Sequence, residues 1–184
     1  MRFFHFFILF IIVNSCLKNI REINYDPSQA SVIVNEIQKK LISQLKIEKD
    51  LYPWEFGGGA KNPIRLIHCG FVYYNDIDIA TARKLIILVV NKFVNEINTN
   101  EKIRPFLEVY PFKPENMEIR IFLKNSNGSE LSAEKLHVIS IINGKLKYKT
   151  GIPSSEGLPL TTIYQETYEE AMAKISNASE KISL

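Results

Sequence analysis

The chain has 184 residues, 46% of them apolar and 23% charged, which is ordinary for a globular protein and enough for one domain with a real core. Its formal charge of +3 is too evenly balanced for nucleic acid as a main partner, because such binding needs a concentrated basic face. Two cysteines and three histidines exclude a disulfide framework, an all-cysteine metal site and a histidine-built zinc site, and no cofactor motif is present.

The first element in chain order is an export address. Arg2 gives a short positive region, and Phe3 to Val13 is an apolar run of eleven residues broken only by His5. A bilayer span needs about 20 residues, so this run has the length of a secretory signal's apolar region and not of a membrane helix. Val13-Asn14-Ser15-Cys16 follows. It resembles the lipobox of bacterial lipoproteins, with Val13 aliphatic and Ser15 small, while Asn14 and the single Arg fit that pattern less well. The resemblance implies cleavage before Cys16, a diacylglycerol on its thiol and attachment to a membrane. Leu17 stands where the inner-membrane retention signal of that family has Asp, which implies the outer membrane. The competing readings are a plain signal peptide cut near Ser15 or Cys16, giving a soluble secreted or periplasmic protein, and an uncleaved anchor. Residues 1–15 are thus expected to be signal, 16–25 a tether, and 26–184 one domain. Loss of residues 1–15 leaves 169 residues and, with Arg2 gone, a formal charge of +2.

Asp26-Pro27-Ser28-Gln29 reads as an N-cap, a proline at the first helical position and a capping box. Ile33, Ile37, Leu41 and Leu45 repeat every four residues, so the spacing predicts a helix over 27–46. Residues 47–63 read as a loop, with Trp54 and Phe56 expected to cover the core edge. Its Gly57-Gly58-Gly59-Ala60-Lys61 lacks the second glycine, the spacing and the Ser or Thr of a phosphate loop. Residues 64–74 read as a strand, apolar on both faces. Asp78 is placed to cap a helix over 79–98, buried through Ile79, Ala82, Ile86, Val89, Val90, Phe93 and Ile97.

Prolines 105, 111 and 114 keep 101–116 out of any helix interior or central strand, so an extended, edge-like segment packed through its aromatics is expected. Alternation predicts a strand over 117–124. Asn143-Gly144 predicts a type I′ hairpin joining strands at 136–142 and 145–149. Residues 150–160 read as a loop. Thr162-x-x-Gln165 reads as the capping box of a last helix, with Glu166, Glu169 and Glu170 on its solvated side. The order α-β-α-β-β-β-α implies an α+β domain, a mostly antiparallel sheet of four to five strands with about three helices packed on one face.

Chemistry-bearing groups are few. Cys69 sits mid-strand, where a free thiol ordinarily behaves as a small buried hydrophobe. A Cys69–His137 dyad would need imidazole and thiol within hydrogen-bond reach, and adjacent His68 points to the opposite face of its strand. Asn75, Asp76 and Asp78 lack the glycine and the bidentate glutamate of a calcium loop. The row Lys145, Lys147 and Lys149 reads as one solvated strand face, able to meet anionic lipid or polymer by charge alone.

Ala82-Arg83-Lys84, Ile103-Arg104-Pro105-Phe106 and Tyr110-Pro111-Phe112 together resemble an uncharacterised family of exported bacterial proteins. That resemblance covers about a quarter of the chain; it implies an envelope protein and no activity. The expected function is therefore a non-enzymatic interaction domain held at a membrane through Cys16, with a protein partner in the envelope and no cofactor or metal. The alternative is a secreted enzyme or effector with a site near Cys69 and His137.

Overall fold

The computed structural model describes residues 27–58, 63–151 and 159–180. The signal, Cys16, the tether and the Asp26 cap lie outside the described residues. The domain is α+β, with three helices and one six-stranded, mostly antiparallel mixed sheet among the described residues. Helix α1 (Pro27–Lys49) leads to β1 (Leu51–Gly58) and β2 (Ile67–Tyr73), and α2 (Ile79–Thr99) crosses over to β3 (Met117–Leu123). Then come β4 (Leu136–Ile142), β5 (Lys145–Gly151), β6 (Leu160–Thr167) and α3 (Tyr168–Glu180).

The strands lie in sequence order, β1 to β6, and every neighbouring pair is antiparallel except β2 and β3. That one parallel pair exists because α2 carries the chain back to the starting end of the sheet, as a parallel neighbour requires. Register sorts the residues into two faces. Phe56, Cys69, Ile119, Ile141, Leu146 and Glu166 form one cross-strand row through all six strands, and Phe71, Ile121, Ile139, Tyr148 and Tyr164 the next. The helices pack here: Gln38 of α1 reaches Cys69, while Arg83 of α2 and Lys174 of α3 both reach Glu166. The core is continuous from Val34, Ile37, Leu41 and Leu45 through the α2 stripe to the sheet.

Helix α2 forms as its spacing predicts. The Asp78 side chain accepts from the Thr81 amide at 2.8 Å, and Ala82, Ile86, Val89, Val90, Phe93 and Ile97 are buried. The hairpin also forms, with Asn143 at φ 51° and Gly144 at φ 71° and Ile142 opposite Lys145. Only a residue tolerant of positive φ suits either position.

The sheet is wider than the sequence suggests, because two strands occupy stretches read as loop or helix. Residues 51–58 are β1, not loop: Pro53 is tolerated because β1 is an edge strand, where a missing N–H breaks no ladder. Residues 160–167 are β6, not the start of the last helix. The cap of α3 lies five residues further on. The Thr167 amide donates to Glu170 Oε2 at 2.8 Å and the Glu170 amide to Thr167 Oγ1 at 3.2 Å, a reciprocal capping box. Residues 101–116 contain two short 3-10 turns and a single bridge from Leu107 to Ile64, with Phe106 and Phe112 buried.

Both edges carry devices that discourage pairing with another sheet. Trp54 interrupts the register of β1, Ile163 that of β6, and Glu166 points a charge inward from β6.

Candidate functional site

Cys69 and His137 do not meet. Strand β3 lies between β2 and β4, and no hydrogen bond joins the two side chains among the described residues. Burial pushes the Cys69 thiol up to about 12 against the opposing pull of the Gln38 amide, so at neutral pH it is a protonated thiol. Gln38 donates from Nε2 to the carbonyls of Gly57 and His68 at 2.8 and 3.0 Å, fastening α1 across the β1–β2 pair. Both ring nitrogens of buried His137 are occupied: Nδ1 accepts from the Gly151 amide at 3.0 Å and Nε2 faces the Leu131 carbonyl at 2.9 Å. With Nδ1 accepting, Nε2 carries the proton, which fixes a neutral tautomer. Its role is to satisfy backbone at a bulge of β4.

Glu166 gives the densest polar cluster on the helix side, and the sequence reading placed it wrongly. It is not on the solvated side of a helix; its side chain, at 1% exposure, lies in the core between β6, α2 and α3. Arg83 Nε donates at 2.6 Å, Tyr148 Oη at 2.6 Å and Lys174 Nζ at 2.7 Å. Burial raises the carboxyl's pKa, but hydrogen bonds from Arg83, Lys174 and Tyr148 outweigh it and hold it below its usual range. Tyr148 is shifted far upward, by burial and then by the carboxylate it donates to. Every partner of Glu166 stabilises the ionised form, so the cluster is a saturated ion-pair knot and not an acid–base pair. The other carboxylates of the group are exposed, Glu170 in the α3 cap.

Asp78 is the α2 cap and Asp76 pairs with Lys135 at 2.8 Å. No three His, Cys, Asp or Glu groups stand together to hold a metal ion among the described residues.

No described helix covers the second face of the sheet. Its middle row runs Glu55, Gly70, Arg120, Ser140, Lys147, Gln165 and is flanked by His68 and Glu118. His68 Nε2 lies 3.1 Å from Glu55, and Arg120 bridges Glu55, at 3.3 Å, and Glu118. Gly70 makes this possible. A Cβ there would stand 2.5 Å from Glu55 Cγ, so only glycine lets that side chain lie across β2. Lys145, Lys147 and Lys149 are on the same face, on β5.

The β1 end of this face is aromatic. Trp54 is 63% exposed; Phe56, which belongs to the helix-side row of β1, is exposed as well, so neither closes the core edge as the sequence suggested. Trp54 leans on Phe122 at 6.1 Å between ring centres, and Tyr52 meets Tyr74 edge-on at 5.3 Å. Two hollows open beside these rings. One, of about 280 Å³, lies between Trp54, Val72 and Phe122. The other, of about 610 Å³, lies where the α1–β1 junction, the end of β2 and the β3–β4 loop converge. Lys124 continues the β2–β3 ladder by donating to the Tyr73 carbonyl, and the loop beyond it is closed by its own bonds, with Gly128 N to Asn125 O at 2.8 Å and Asn127 Oδ1 accepting from the Ser129 amide. The sequence offered one signal for this region, Trp54 beside Phe56, but not that the two would face opposite sides of the sheet edge or that Tyr52 would join Trp54.

Comparison with known proteins adds no relative: no family model, no curated protein and no solved structure matches the chain.

Proposed function

We infer that this chain is an exported lipoprotein, acylated at Cys16, whose α+β domain is a non-enzymatic binding module at the cell envelope. The observation that carries this reading is the N-terminal sequence, an apolar run too short for a bilayer that ends in Val13-Asn14-Ser15-Cys16. The resemblance of residues 82–112 to exported bacterial proteins points the same way, and Leu17 favours the outer membrane.

Binding, as opposed to chemistry, is supported by the helix-free face with its exposed Tyr52 and Trp54, and by a thiol and an imidazole committed to structural contacts. Bulky aromatics left in water at the margin of a sheet are a feature of interaction surfaces. No described helix is long and apolar enough to cross a membrane. Attachment in this reading comes from the acyl chains, each buried methylene contributing about 0.8 kcal/mol, so that two or more chains hold lastingly.

Metabolic labelling with an alkyne-bearing fatty acid tests the anchor. The parent chain is expected to take the label and sediment with membranes, whereas Cys16→Ala takes none and accumulates unprocessed. Label retained in Cys16→Ala, or an unlabelled parent, overturns the proposal.

A further inference from the structure

We propose that the hollow between the α1–β1 junction, the end of β2 and the β3–β4 loop binds a neutral oligosaccharide, stacked on Tyr52 and Tyr74 and held through its hydroxyls by Asp50, Asn75 and Asn127. The proposal rests on the reading of this domain as a binding module and supplies its ligand class.

The lining selects the chemistry. The larger hollow presents two phenol rings, two amides, the Ser126 hydroxyl and one carboxylate. Asp50 is the only charged side chain among them; the nearby Lys46 ammonium lies against the Tyr52 ring, 5.4 Å from its centre, and is not part of the lining. Amides and hydroxyls both donate and accept, and a carboxylate accepts through two oxygens. A ligand with many adjacent hydroxyls, each both donor and acceptor, is the complement of such a set. The rings complete it: an aromatic face is electron-rich and attracts the polarised C–H groups that a pyranose presents on its flatter side. A neutral ligand also avoids the desolvation penalty that an anion would meet beside the Asp50 carboxylate. At about 610 Å³ the hollow falls within the usual range for small-ligand sites.

The site is built before any ligand arrives. The second hollow, at Trp54, Val72 and Phe122, has no lining residue in common with it and carries the charges of Lys124 and Glu130, so the neutral ligand is assigned to the larger hollow alone. Lys46 sits 5.4 Å from the Tyr52 ring centre and Tyr74 packs against the same ring, which together fix its pose. Asp50 is held at φ 54° by the turn out of α1. Gly128 takes φ 84°, which glycine adopts without steric cost, and so sets the course of the loop beside Tyr74. In the self-bonded β3–β4 loop Asn127 Oδ1 accepts from both the Ser129 amide and the Ser129 hydroxyl, which fixes the side chain and leaves Nδ2 to donate to a ligand hydroxyl.

Trp54, the only tryptophan of the chain, lines the neighbouring hollow and not this one, so binding is read by calorimetry. The experiment titrates the full-length protein, in a detergent without a sugar headgroup, with chitotetraose, cellotetraose and maltotetraose. Saturable binding is expected with at least one of them. Tyr74→Ala and Asp50→Asn should each weaken it about tenfold, the loss of one good contact, while Phe56→Ala, on the helix side of β1, leaves it unchanged. Asp50→Asn keeps a residue tolerant of positive φ, so its effect is not one of misfolding. The proposal is overturned by an absence of saturation with all three sugars, by a response indifferent to both variants, or by an uncharged hexapeptide giving the same variant-sensitive binding. Any of these leaves acylation of Cys16 standing, because labelling reads the anchor separately.

Discussion

Glu166 shows how a buried charge is made tolerable. An isolated carboxylate in this core would be expelled or protonated; with Arg83, Lys174 and Tyr148 donating to it, ionisation is favoured. Truncating it in Glu166→Ala leaves the Arg83 guanidinium, itself 13% exposed, without its partner and should cost about 3 kcal/mol of stability in a urea melt. Because the folded carboxyl is held below its usual 4.5, its contribution is present above that value and is lost as the pH falls through the lower folded value. The stability gap between the parent and Glu166→Gln should therefore be widest at neutral pH and shrink in acid; a gap independent of pH would contradict the ionised assignment. Cys69 is the opposite case, a group kept neutral. Burial should make a thiol probe react with the native protein far more slowly than with the unfolded chain, and fast native labelling would place the thiol at the surface. The sequence foretold Cys69, since a thiol between Ile67 and Phe71 reads as core. It did not foretell Glu166, whose partners stand 83 residues before it, 18 before it and 8 after it, contacts that only the fold creates.

Elements were legible wherever local signals agreed. In α2 the Asp78 cap, the apolar spacing and the length point one way, and in the β4–β5 hairpin alternation and Asn143-Gly144 do. They were obscure where a local signal had a rival. Both Thr162-x-x-Gln165 and Thr167-x-x-Glu170 fit a capping box, and the β-branched and aromatic run Thr161-Thr162-Ile163-Tyr164 decides for a strand until Thr167. In β1 the proline and glycines argued for a loop, and only an edge position reconciles them with a strand. Two substitutions probe the elements that agree. Gly144→Val places a β-branched residue at φ 71° with Glu115 Cγ 3.1 Å from the new Cβ, and should cost at least about 1 kcal/mol. Val89→Asp buries an unpaired charge in the fully enclosed α2 stripe and should lower the urea midpoint further than Gly144→Val does. A Val89→Asp variant as stable as the parent would mean that the 85–90 run is not core.

At the scale of the whole molecule, helices crowd one face of the sheet and leave the other to strands and loops, so the two faces divide the work. The helix side supplies stability, through one continuous core and the Glu166 knot. The free side carries the charged row from Glu55 to Lys147 and, at its β1 end, the aromatic hollows. The α+β class and the one-sided helices followed from apolar periodicity, which a two-layer fold imposes on every element. The free face did not, because its chemistry depends on which strands are neighbours, and two of the six strands were hidden. In the function proposed above an acyl anchor presents this face at the envelope, so the most direct test is the intact mass of the protein extracted from membranes. The expected result is a chain beginning at Cys16 with the added mass of a diacylglycerol, with or without a further acyl chain on its amine. An unmodified chain beginning at any other residue would contradict it.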